Sequence, residues 1–127
     1  MARRVIEPRG GISQATRVSN HVFLSGQVAF GEGGELVGEG DAEAQAGQIF
    51  RNIERVLGKA GAGLDDVTLL TAYLTDAAHF PAYAAVKRRY FPSDPPAGTT
   101  VIVSGLLDPR LLLEVEVHAV LAAPESG

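Results

Sequence analysis

Near the C-terminal end of the chain, Leu113, Val115 and Val117 alternate with Glu114, Glu116 and His118. Successive side chains of a strand point to opposite faces, so this register puts an apolar row on one face and two carboxylates with an imidazole on the other. Carboxylates that close repel each other. Together with partial burial, that repulsion raises the pKa of one of them toward neutrality, where it can serve as a general acid or base. Glu116 is the candidate for this role, with a hydrogen-bonding role inside an assembled sheet as its equal alternative. Glu114 is read as structural, and His118 as a structural donor rather than a catalyst.

Other chemistries are poorly supplied. The chain has no cysteine, which removes disulfides, thiolate nucleophiles and sulfur-ligated zinc together. His21, His79 and His118 fall on separate elements without ligand-like spacing, so no metal is expected. Ser25-Gly26-Gln27 lacks the G-x-S-x-G frame, and no Asp–His pair is evident to activate the hydroxyl; Gly26 is read as a bulge or a place of close approach. The one basic cluster, Lys87 to Tyr90, belongs at a helix end, where positive charge offsets the helix dipole. With a formal charge of −4 there is no domain-wide positive field, so neither nucleic acid nor anionic lipid is expected as a partner. No apolar window reaches membrane-spanning length and Met1 to Arg17 holds no signal-like stretch, so a soluble, unprocessed, cytoplasmic protein is expected.

These groups need a scaffold, and 127 residues are most simply one domain, 1–127, with one core. Arg3 to Glu7 reads as a short edge strand ended by Pro8. Thr16 to Val28 reads as a hairpin turning at Ser19-Asn20, followed by a glycine-rich loop from Gly31 to Gly40. Behind Asp41 as N-cap, Ala46, Ile49, Phe50, Ile53, Val56, Leu57 and Ala60 form the apolar stripe of a helix over 42–60, stopped by Gly61 and Gly63. Val67 to Thr75 is continuously apolar and reads as a central strand, parallel or antiparallel. A second helix opens at Asp76 or His79 and ends at Pro92, and strands follow over Thr99 to Ser104 and Leu111 to Leu121. The order gives one mixed α+β sheet with two helices on one face. The other face is then bare, and self-association is the simplest cover for it, with ligand clefts between subunits.

"FLSGQV", "NIERVLGKAGAGLDDV", "TAYLTD", "YFPSDPPA" and "LEVEVHAV", in this order and spacing, resemble the RidA/YjgF superfamily, historically labelled endoribonuclease L-PSP. The likeness runs from about Gly11 to Val120. It implies a chorismate-mutase-like fold, closed as a homotrimer around an inner β-barrel, with a site in each intersubunit cleft. It also implies cofactor-independent hydrolysis of reactive enamines and imines, such as 2-aminoacrylate, to keto acids and ammonia. Relatives carry a carboxylate-binding arginine where this chain has Gly98 in "PPAGTTVIV", and often a cysteine where Thr100 stands, with Thr99 between them. Their site tyrosine falls on Ile12 and their helix asparagine near Ala84, whereas Ser25 and Glu116 are retained. The chain thus resembles an arginine-lacking member.

Losing one partner of a desolvated ion pair costs about 2–5 kcal/mol, which lowers affinity for an anion by roughly 30-fold to several thousand-fold. The expectation is therefore a neutral or weakly acidic carbonyl, imine or enamine ligand, with hydrolase or tautomerase-like chemistry through Glu116. The alternatives are a non-catalytic ligand-binding or regulatory trimer, and a 2-iminobutanoate/2-iminopropanoate deaminase whose anchor is supplied by Arg9, Arg17, Arg110 or a neighbouring subunit's Lys87.

Overall fold

The computed structural model describes residues 2–123. In chain order the elements are β1 (Arg4–Arg9), β2 (Ile12–Val18), β3 (His21–Gln27), α1 (Ala42–Lys59), β4 (Val67–Leu74), α2 (Phe80–Tyr90), β5 (Ala97–Ile102) and β6 (Leu113–Val120). All six strands form one sheet in the order β1-β2-β3-β6-β4-β5. Every neighbouring pair is antiparallel except β4 with β5, which run parallel. The central apolar strand β4 therefore has one neighbour of each kind, and the chain leaving β5 crosses β4 before returning as β6.

Local chemistry sets the element boundaries. The Asp41 carboxylate accepts from the Ala44 N–H at 3.0 Å and caps α1. At the other end Gly61 takes the left-handed conformation (φ 82°), so that Ala62 N–H reaches Leu57 O and Gly61 N–H reaches Gly58 O. This pairing satisfies carbonyls that the end of a helix would leave open. Asp76 caps a 3₁₀ turn over Ala77–His79 that leads into α2, whose first turn accommodates Pro81. β1 continues through Pro8, which an edge strand tolerates because its missing N–H faces solvent. β6 begins at Leu113 rather than Leu111. Residues 108–111 are held in a turn instead, by Leu111 N–H to Asp108 O and by Arg110 on the Asp108 carboxylate. The buried Gln45 closes this segment onto α1, donating to Gly38 O and Arg110 O while accepting from Leu112 N–H.

Both helices cover one face of the sheet. Ile49, Phe50, Ile53 and Leu57 of α1 are fully buried with Val22, Leu24, Leu70, Leu74, Leu113 and Val115 of the sheet, and Phe50 stacks on Tyr83 and Tyr90 of α2. Arg17 is buried within this layer and donates to Ala60 O at the negative end of α1. The opposite face, carrying His21, Phe23, Thr71, Tyr73, Glu114, Glu116 and His118, has no helix over it among the described residues. Phe23 on that face is 44% exposed.

Candidate active site

The alternation in β6 puts Glu114, Glu116 and His118 on the open face, and the neighbouring strands give the two carboxylates different surroundings. Glu116 is exposed, and its Oε1 accepts from the Tyr73 hydroxyl of β4 at 2.5 Å. That hydrogen bond, with burial second, raises the Tyr73 pKa and keeps the phenol a donor.

Glu114 lies deeper, against β3. The register of β3 on β6 shifts between Leu24 and Gln27, the mark of a bulge, and the Glu114 carboxyl rests on that bulge. A Cβ on Gly26 would come within 1.9 Å of Glu114 Oε2, so only glycine leaves room for the carboxyl there. Burial first, and the charge of Glu116 second, raise the Glu114 pKa. The adjacent Ser25 hydroxyl donates to Ser13 O at 2.6 Å, leaving its oxygen lone pairs as acceptors. A carboxyl whose pKa is raised holds its proton more readily than an ordinary one, as a general acid must.

At the other end of the row His21 Nδ1 and His118 Nε2 are 2.9 Å apart, and Phe23 stacks on the His118 ring at 4.4 Å between centroids. Burial and the neighbouring His21 lower the His118 pKa. A cavity of about 200 Å³ opens here between Phe23, Leu69, Thr71, Glu116 and His118. A larger cleft of about 640 Å³ lies between the Gly26 bulge and α1, lined by Gln14, Gln27, Asn52 and Arg55 among others. Among the described residues no group of three or more His, Asp or Glu could hold a metal ion, and no helix is long and apolar enough to cross a membrane.

The sequence-predicted site residues fall into two groups. Ser25 and Glu116 share the open face with Glu114. Gly98, Thr99 and Thr100 lie on the exposed edge strand β5, opposite Leu70, Thr71 and Ala72. Leu70 and Ala72 are buried under the helices, so Gly98 and Thr100 face the helix side and Thr99 the open side. Ala84 lies on α2, and Ile12, 58% exposed, begins β2. Three strand spacings separate β3 from β5, about 14 Å, so one chain does not bring Ser25 and Gly98 into a common pocket.

The cations considered as a substitute anchor also separate. Arg17 is bound to helix carbonyl oxygen and Arg110 to Asp108, whereas Lys87, one helical turn beyond Ala84, stands over Gly98 of its own chain. Sequence reasoning missed Tyr73, the seating of Glu114 on Gly26 and the His21–His118 pair. The only signal for Tyr73 was a phenol inside an otherwise apolar strand.

The endoribonuclease L-PSP family model matches residues 2–121, and the chain belongs to this family, the RidA/YjgF group. A RutC family protein of Pyrococcus abyssi is 39% identical over 127 residues, covering 94% of this chain and 98% of that protein. The 3-aminoacrylate deaminase RutC of Acinetobacter baylyi is 39% identical over 101 residues, covering 80% and 79%. Among solved structures, RidA from an Antarctic Psychrobacter superposes with a TM-score of 0.82 at 34% identity, covering 88% of this chain and 89% of that one.

Proposed function

We propose that this protein hydrolyses small enamines or imines in clefts between the subunits of a homotrimer, with Glu114 as the general acid and base. The observation that carries this reading is the Glu114 carboxyl seated on the Gly26 bulge, half-buried and beside a second carboxylate. Glu116, first candidate on sequence grounds, is exposed and has one oxygen engaged by the Tyr73 hydroxyl, which suits it less to the role than the half-buried Glu114. The similar protein from Acinetobacter baylyi is named a deaminase of an enamine, which supports the reaction class.

The chemistry closes with water alone. Protonated Glu114 delivers its proton to the enamine carbon, giving an iminium ion. The resulting carboxylate takes a proton from water as its oxygen bonds to the iminium carbon, forming a carbinolamine. Glu114 then protonates the nitrogen, the C–N bond breaks with loss of ammonia, and the hydroxyl proton returns to Glu114 as the carbonyl forms. Burial first and the Glu116 charge second raise the Glu114 pKa, which favours the protonated form that opens this cycle.

The test supplies a pyridoxal-phosphate lyase with serine or threonine and follows keto-acid release with semicarbazide trapping. Wild-type protein accelerates release. Glu114→Gln abolishes the acceleration, a loss on the order of 100-fold or more for a general acid–base group, and Glu116→Gln reduces it less. No acceleration by folded wild-type protein on either substrate overturns the reading, and retained activity in Glu114→Gln overturns the assignment of Glu114.

A further inference from the structure

His21 opens β3 directly after the turn at Ser19 and Asn20, and His118 lies on β6, 97 residues away along the chain. Antiparallel pairing sets Phe23 opposite His118 and His21 opposite Val120, so the two imidazoles are diagonal neighbours on the open face. Their facing nitrogens, His21 Nδ1 and His118 Nε2, are 2.9 Å apart. Phe23 lines up both rings, its own lying 4.4 Å from that of His118 at 17° and 6.1 Å from that of His21 at 13°. Among the described residues neither imidazole has a carboxylate or a carbonyl oxygen as partner. Each ring has only the other to bond with, and His21 is exposed to solvent.

Two neutral imidazoles facing each other share one proton between two nitrogens. When that proton moves to His21 Nε2, where water accepts from it, both facing nitrogens carry a lone pair and no net charge is created. A small rotation of the exposed His21 ring then turns both lone pairs toward one point. With metal–nitrogen bonds of about 2.0 Å, a separation of 2.9 Å gives an angle of roughly 90° at the metal. A tetrahedral ion such as zinc sets its donors about 3.3 Å apart, whereas a tetragonal ion sets them about 2.8 Å apart. Imidazole donors in tetragonal geometry suit Cu(II) and Ni(II), and Cu(II) heads the affinity order of the divalent ions.

We infer that His21 and His118 form a chelating site for a tetragonal divalent cation, Cu(II) before Ni(II), with water in the remaining positions. It reverses the expectation of no metal drawn from histidine spacing, because spacing along the chain is blind to the pairing of β3 with β6. The site stands apart from the hydrolytic one, since His118 is four residues along β6 from Glu114, about 13 Å. The second imidazole binds an ion already held by the first, so losing either ring should weaken binding about 100-fold or more.

The test titrates the full chain with Cu(II) in a non-coordinating buffer, by equilibrium dialysis and pulsed EPR. Wild type should bind one ion per chain at micromolar concentration, with two imidazole nitrogens on it. His21→Phe and His118→Phe keep the aromatic stack and remove the donors, and each should raise Kd by about 100-fold. His79→Gln, on the turn before α2, should bind as wild type does. A second measurement needs no variant: Cu(II) should broaden the amide NMR signals of residues 21–23 and 118–120 before those of Gln27 and Glu114. No copper bound, a single imidazole on the ion, unchanged affinity in either phenylalanine variant, or broadening centred elsewhere overturns the site. Zinc held more tightly than copper overturns the geometric selection.

Discussion

Glu114 and Glu116 stand two positions apart on one strand face, and a single neighbouring glycine separates their chemistry. Burial on the Gly26 bulge disfavours the charged form of Glu114, whose pKa is raised above its ordinary 4.5. The unfolded chain releases that proton at the ordinary value and the folded chain holds it to higher pH. Above the folded pKa the ionised carboxyl therefore costs the native state stability, and this cost disappears as pH falls below about 4.5. Glu114→Gln, which cannot ionise, should melt at a higher temperature than wild type at pH 8, with the difference vanishing near pH 4. Thermal melts of both proteins across that range check it, and parallel curves would refute it.

At the scale of the element, the bulge in β3 decides whether β6 can present a working carboxyl. Gly26→Ala puts a methyl group 1.9 Å from Glu114 Oε2 and 2.7 Å from its Cδ, so the carboxyl has to swing out into solvent. Because the atoms displaced are the far end of a flexible side chain, stability should change by only about 1 kcal/mol. Activity should nevertheless fall on the order of tenfold to a hundredfold, since the proton donor leaves its place. Lyase-coupled kinetics beside a denaturation curve separate the two effects.

The molecule as a whole has one face of its sheet packed under helices and the other carrying a row of polar and aromatic groups, with Phe23 exposed and stacked on His118. Three copies joining those faces would withdraw Phe23 from water, and the second half of each site would come with them. Phe23→Asp puts an unpaired charge into that contact, which disrupts association while leaving the helix-side core intact. Sedimentation should give a particle three times the 13.3 kDa of one chain for wild type and a single folded chain for the variant. A wild-type monomer would refute the shared cleft.

Much of this architecture was legible in the amino-acid order, because period and punctuation are local. The stripe from Ala46 to Ala60 specifies α1, Asp41 and Gly61 end it, and the alternation from Leu113 to His118 assigns each β6 side chain to a face. What a side chain meets on that face is not local. Glu114 meets Gly26 across a bulge, Glu116 meets Tyr73 from a strand more than forty residues away, and Lys87 meets Gly98 because β5 folds in parallel with β4 beneath α2. The sequence by itself settled which residues could carry charge and which way they face. Only the tertiary structure decided which carboxyl is sheltered from water and which cation fills the room left by a glycine, because desolvation and pairing are properties of neighbours distant along the chain.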